Sequence, residues 1–120
     1  MSENIDILAI VGSRNYTNYD YFKSVVIETT KNLRIKSIIS GGATGVDNLA
    51  EKYSLEYKIP ITIYKPEWEI YGKKAGPIRN TKIVDDATHL LAFPAKDSVG
   101  TLDTINKATK KNIPIITINI

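Results

Sequence analysis

The sequence predicts an α/β protein: a doubly wound, five-stranded parallel sheet of order 3-2-1-4-5 with helices on both faces. Five short runs rich in β-branched and aliphatic residues alternate with stretches of helical periodicity. Most of those runs are too continuously apolar to be half solvated, which is how strands covered on both faces by helices read. Right-handed crossovers between parallel strands then restrict the winding of a β-α-β-α-β-loop-α-β-α-β chain, and 3-2-1-4-5 is its simplest solution. A length of 120 residues has room for one core, so residues 1–120 are read as a single domain.

Residues 5–11 form the first apolar run. Tyr19, Phe22, Val25, Val26, Thr29 and Leu33 follow at helical spacing, with charged residues on the opposite face. A second run at 37–40 precedes Val46, Leu49, Ala50, Tyr53 and Tyr57, again spaced by threes and fours. The third run is 61–64. Residues 65–76 form the one long stretch without helix or strand periodicity. Pro77 suits the first turn of a third helix reaching about Asp86, because its missing N–H has no partner to lose there. The fourth run is 89–93, and Leu102, Ile105, Ala108 and Thr109 mark a helix that stops before Pro114. The last run is 115–118.

Hydrophobic residues at 42% and charged residues at 24% describe an ordinary globular chain. The absence of cysteine excludes a disulfide scaffold, thiolate metal sites and a thiol nucleophile. One histidine, His89, excludes a site built on several imidazoles and opens a buried strand, where a structural role is expected. No metal and no cofactor are expected. Sixteen basic against thirteen acidic residues leave a formal charge of +3, a mild bias that suits small anions and falls short of a dense nucleic-acid footprint. No apolar run can span a bilayer, and the acidic, polar start lacks the basic and apolar regions of a signal peptide. A cytoplasmic protein without a membrane partner is the expectation.

In a doubly wound sheet, ligands bind beyond the carboxyl ends of the strands where the strand order reverses. Three loops of this chain end there. After the first strand, Gly12 allows a sharp exit, Ser13 offers a hydroxyl, and Arg14 presents a five-donor fork for phosphate or carboxylate. After the second come Ser40, Gly41, Gly42, Ala43, Thr44 and Gly45, which let backbone N–H groups and a positive helix end approach a phosphate. This is neither a Walker loop nor the dinucleotide GxGxxG pattern. Asp47 suits either a ribose hydroxyl or the helix dipole. After the fourth strand, Gly100 and Thr101 again place flexible backbone and a hydroxyl at a helix start. The long connection adds Trp68 and Tyr71, suited either to stacking on a base or to closing the core edge, with Lys73, Lys74, Arg79 and Asn80 beside them.

Val11-Gly12-Ser13-Arg14, Ser40 to Asp47, Pro66-Glu67-Trp68, Gly72 to Asn80, Phe93-Pro94 and Gly100-Thr101 together resemble the single-domain, YspA-like (YpsA-related) branch of the SLOG superfamily. Its members are small Rossmann-like nucleotide-binding proteins of bacteria and phages. The resemblance implies several jobs: lonely-guy type phosphoribohydrolases, sensors of NAD-derived or ADP-ribose-like signals, and DNA-processing members that bind single-stranded DNA. It also implies a homo-oligomer.

The hydrolases use a Pro-Gly-Gly-x-Gly-Thr-x-x-Glu motif. Here both first glycines are missing, the loop is longer, and Thr104 stands at the glutamate position. Threonine supplies no carboxylate for an oxocarbenium-like transition state. The leading expectation is therefore a non-catalytic binder of a phosphorylated ribose nucleotide, ADP-ribose-like, NAD-derived or cyclic, acting as sensor or sequestering protein. Its ligand-binding residues would be Gly12, Ser13, Arg14, Ser40, Gly41, Gly42, Ala43, Thr44, Gly45, Asp47, Trp68, Arg79, Asn80, Gly100 and Thr101. The alternative is a nucleoside 5'-monophosphate N-glycosidase using Asp47, Asp103 and Arg79, with Glu67 a further carboxylate. A second alternative is single-stranded DNA binding, although a small molecule rather than nucleic acid is the expected partner.

Overall fold

A computed structural model describes residues 3–120. Five strands, β1 (Asp6–Gly12), β2 (Ile35–Ser40), β3 (Ile61–Ile63), β4 (His89–Phe93) and β5 (Ile115–Thr117), form one sheet of order β3-β2-β1-β4-β5. Every neighbouring pair is parallel. The central strand β1 aligns Leu8 with both Ile38 and His89, and its last residue, Gly12, with Phe93. Strand order therefore reverses at β1, and the exits of β1, β2 and β4 lie side by side.

The five helices are α1 (Tyr19–Thr29), α2 (Val46–Tyr57), α3 (Trp68–Tyr71), α4 (Ala75–Asp86) and α5 (Val99–Lys111), with a 3-10 turn at Gly72–Lys74. Alternation along β1 divides the core. Leu8 and Ile10 face Phe22 and Val26 of α1 and Val46, Leu49 and Tyr53 of α2. Ala9 and Val11 face Ile83 and Val84 of α4 and Ala108 of α5. Small residues on the second face bring α4 and α5 close to the sheet, and with them the residues that wall the cleft described below.

Some helix ends depart from the expected periodicity. α1 ends earlier than the spacing through Leu33 predicts. The Thr29 hydroxyl donates to the Val25 carbonyl at 2.8 Å and the Thr30 hydroxyl to the Val26 carbonyl at 2.6 Å. The Val26 carbonyl still accepts the Thr30 N–H at 3.1 Å, and the Leu33 N–H donates to the Thr30 carbonyl at 2.9 Å in a tighter turn, so the helix closes at Thr30 and Leu33 falls outside it. At its start, the Asn18 side chain accepts from the Tyr21 N–H at 3.1 Å. The long connection is less irregular than expected, since 65–76 holds α3, the 3-10 turn and the start of α4. Pieces of three and four residues are too short to show a period. α4 begins at Ala75, two residues before Pro77, which still sits in the first turn where no N–H is missed. No helix among the described residues is long and apolar enough to cross a membrane.

Phe22 joins the α1–α2 layer to the sheet. Fully buried, it meets the Phe93 ring at 5.1 Å between centroids and the Tyr53 ring edge-on at 6.4 Å. Phe22→Ala should lower the unfolding free energy by about 3–5 kcal/mol, read as a fall in the urea midpoint at unchanged slope.

Candidate functional site

The first two strand-end loops are held together by backbone. The Ser13 N–H donates to the Phe93 carbonyl at 3.0 Å, and the Val46 N–H, first in α2, donates to the Ser13 carbonyl at 2.9 Å. The Thr44 hydroxyl donates to the Arg14 carbonyl at 3.0 Å. So close an approach leaves no space for side chains. A Cβ on Gly12 would stand 2.7 Å from the Phe93 carbonyl oxygen and 2.7 Å from the Val46 side chain. Gly45 has φ +71°, and its Cβ would collide with the Ser13 and Arg14 carbonyl groups.

Arg79, on α4, reaches across to the second loop. Its Nη1 donates to the Gly41 carbonyl at 2.7 Å and its Nε to the Asn80 Oδ1 at 2.8 Å. Asp47, in the first turn of α2 and only 6% exposed, accepts the Ala43 N–H at 3.0 Å. Burial pushes its carboxyl above the ordinary range, opposed by the Ala43 hydrogen bond and the Arg79 charge. Burial lowers Arg79 in turn, opposed by Asp47. Asn80, 4% exposed, donates from Nδ2 to the Gly100 carbonyl at 3.3 Å and to Asp103 at 3.1 Å. It thereby ties α4 to the start of α5.

These elements enclose a cleft of about 400 Å³ at the carboxyl ends of β1, β2 and β4. Of the residues nominated from sequence, Gly12, Ser13, Arg14, Gly41, Ala43, Asp47, Arg79, Asn80, Gly100 and Thr101 line it. Ser40, Gly42, Thr44, Gly45 and Trp68 do not. Ser40 is buried beneath the loop, Gly42 turns toward the side chains of Ile63 and Lys65, and Thr44 and Gly45 hold the two loops together. Trp68 is half exposed on α3, and it approaches Gly76. The cleft also includes Asn15, Asp97, Ser98 and Val99, which were not nominated from sequence, and Thr104, which was weighed only at the hydrolase glutamate position, above a floor containing Val11 and Ile83. Ser98 immediately precedes α5, a position the residue type favours, and its hydroxyl accepts the Ala95 N–H at 2.9 Å.

The cleft is equipped to bind anions. Two helices, α2 and α5, begin beside it; the Val46 and Val99 N–H groups that open them donate to the Ser13 and Asp97 carbonyls, while the next N–H groups of each first turn lack intrahelical partners. Arg14 is exposed, and its guanidinium makes no hydrogen bond or ion pair among the described residues. Of the carboxylates nominated for hydrolysis, Asp47 lines the cleft and accepts the Ala43 N–H, whereas Glu67 and Asp103 lie outside it and pair with lysines. Asp103 lies outside the cleft lining and pairs with Lys107 at 2.5 Å. Burial raises its pKa, but the bonds from Lys107 and Asn80 outweigh this and hold it below the usual carboxylate range. Thr104, at the position of the hydrolase glutamate, donates back to the Gly100 carbonyl at 3.1 Å.

The sheet order, the glycine-bearing strand exits and the cleft above them define a Rossmann-like protein of the SLOG type. The chain belongs to the DNA recombination-mediator protein A family, whose model matches residues 1–64. The Gene 61 protein of Mycobacterium phage D29 is 34% identical over 85 residues, spanning 66% of this chain and 68% of that protein. The X-ray structure of DNA processing protein A (DprA) from Streptococcus pneumoniae superposes with a TM-score of 0.74 at 19% identity, over 94% of this chain. DNA processing protein A from Helicobacter pylori, whose structure is described for its single-stranded DNA binding mode, gives 0.72 at 21% over 93%. At these identities the likeness is one of fold. The chain spans 50% and 64% of the length of those two proteins.

Family membership corrects the leading expectation. A pocket for an ADP-ribose-like, NAD-derived or cyclic nucleotide signal, with nucleic acid set aside as a partner, is overturned by a match to a DNA recombination mediator and by a structural neighbour described for its DNA binding. The mild charge of +3 misled because it averages over the whole chain, whereas a strand-binding cleft needs only local donors.

Asp47 carries a pH signature. Because its folded pKa lies above the ordinary 3.8, its favourable contribution is complete below pH 3.8 and is lost as pH rises through the folded value. In urea unfolding at a series of pH values, the stability of Asp47→Asn relative to the unsubstituted protein should therefore rise as pH increases above 3.8. A constant difference across that range would contradict the assignment.

Proposed function

We propose that the chain binds single-stranded DNA at this cleft by gripping the sugar-phosphate backbone, and that within the SLOG superfamily it stands in the YspA-like branch. The observation that carries the reading is Arg14, an uncommitted guanidinium at a cleft where two helices begin. Such donors match phosphate oxygens and carry no pattern specific to one base. Asp47 does not oppose them strongly, since the Ala43 N–H and the neighbouring Arg79 take up its charge. Gly12, Ser13, Gly41, Ala43, Gly100 and Thr101 would let the strand approach backbone, while Arg79 and Asn80 hold the walls. The reading also accords with the DNA-processing family to which the chain belongs and with the single-stranded DNA binding described for its Helicobacter neighbour.

Fluorescence anisotropy with a labelled oligothymidylate tests it. Binding should weaken as salt increases, with a logarithmic slope of about −0.7 for each phosphate neutralised. Arg14→Ala should bind about tenfold more weakly and with a slope shallower by about 0.7. Absence of any salt-dependent binding to the strand would reject the proposal.

A further inference from the structure

Arg79 stands between two cavities. One is the cleft described above; the other, of about 340 Å³, lies among Tyr64, Lys65, Tyr71, Ile78 and Lys82. The bonds from Nη1 to the Gly41 carbonyl at 2.7 Å and to the Tyr64 carbonyl at 3.4 Å hold the guanidinium as a partition. Its Nη2 makes no hydrogen bond among the described residues.

The second cavity combines an apolar interior with cations. Ala75 is buried and Ile78 partly so, while Tyr71 is 41% exposed on α3, a helix with no buried residue. Its carboxylates are occupied. Asp86 accepts the Tyr64 hydroxyl at 2.5 Å, and Glu67 pairs with Lys82 at 3.5 Å. Lys65 pairs with no carboxylate among the described residues. An exposed aromatic side chain, apolar residues and an uncommitted cation lining one cavity suit a planar heterocycle joined to a phosphate.

We infer that this second cavity is the subsite for the adjacent nucleotide of the bound strand, with Tyr71 stacking on its base and Lys65 meeting its phosphate. Arg79 then lies beside the phosphodiester that links the two cavities. This rests on the strand-binding reading and adds a path to it: the strand runs from the exits of β1 and β2 over Arg79 toward α3. The path passes Tyr71 rather than Trp68, which lines neither cavity.

The test is a labelled two-nucleotide thymidylate, which fills the two subsites in a single register, together with versions in which each base is removed in turn. For the unsubstituted protein, removal of one particular base should weaken binding about tenfold, within the range for a single stacked base. Tyr71→Ala should bind the intact strand about tenfold more weakly and lose nothing further when that base is removed, while Tyr71→Phe should behave as the unsubstituted protein. The exposure of Tyr71 makes misfolding a poor explanation for a loss. The inference is overturned if Tyr71→Ala binds the intact strand normally, or if it still shows the full loss for the missing base. In either case strand binding itself stands, whereas failure of the unsubstituted protein to bind any strand removes both readings.

Discussion

The site depends on a backbone contact between the exits of β1 and β2. The Ser13 carbonyl accepts the first N–H of α2, and Gly12 and Gly45 make room for that approach. Since β1 lies at the centre of the sheet and β4 on its other side, closing this contact also sets the start of α2 against Phe93. The geometry is carried by atoms every residue possesses. What the sequence must supply at those two positions is the absence of a side chain.

From that contact the walls are built outward by polar side chains that the ligand does not need to touch. Arg79 grips Gly41, Asn80 grips Gly100, and Asp47 accepts from Ala43. Each bond joins a helix to a neighbouring loop or helix start, and each is largely shielded from water, where such bonds count for more. The consequence is a rigid frame around few free donors. Arg14 and the N–H groups after the first in α2 and α5 remain open for an anion, which is how a fold with many relatives can keep its cleft while changing what it binds.

Much of the architecture was legible in the chain itself. Tyr19 to Thr29 and Val46 to Tyr57 show their helical period because each has one buried face, and the strands read as apolar runs because both faces are covered. The glycine-rich exits marked the edge where the cleft opens because glycine is required where backbone meets backbone. Residues 68–74 were not legible, since four- and three-residue helical pieces contain no full period. Leu33 was misplaced for a different reason: its spacing fits the helix, but its N–H donates to the Thr30 carbonyl in a turn beyond the helix end.

By itself the sequence determined the strands, the longer helices, the sheet order and the edge where the cleft opens, because these follow from local periodicity and from where glycine is needed. Tertiary structure alone decided which polar groups are engaged and which are available. Asn80 and Asp103 look like ligand or catalytic groups in the chain, yet Asn80 is occupied by contacts that include Gly100, 20 residues away, and Arg79 is anchored to Gly41 across 38 residues. The second cavity behind Arg79 arises in the same way, from the segment after β3, α3 and α4 folding around one guanidinium. Local pattern cannot report such pairings, since a side chain's free valences depend on partners that only the folded chain brings within reach.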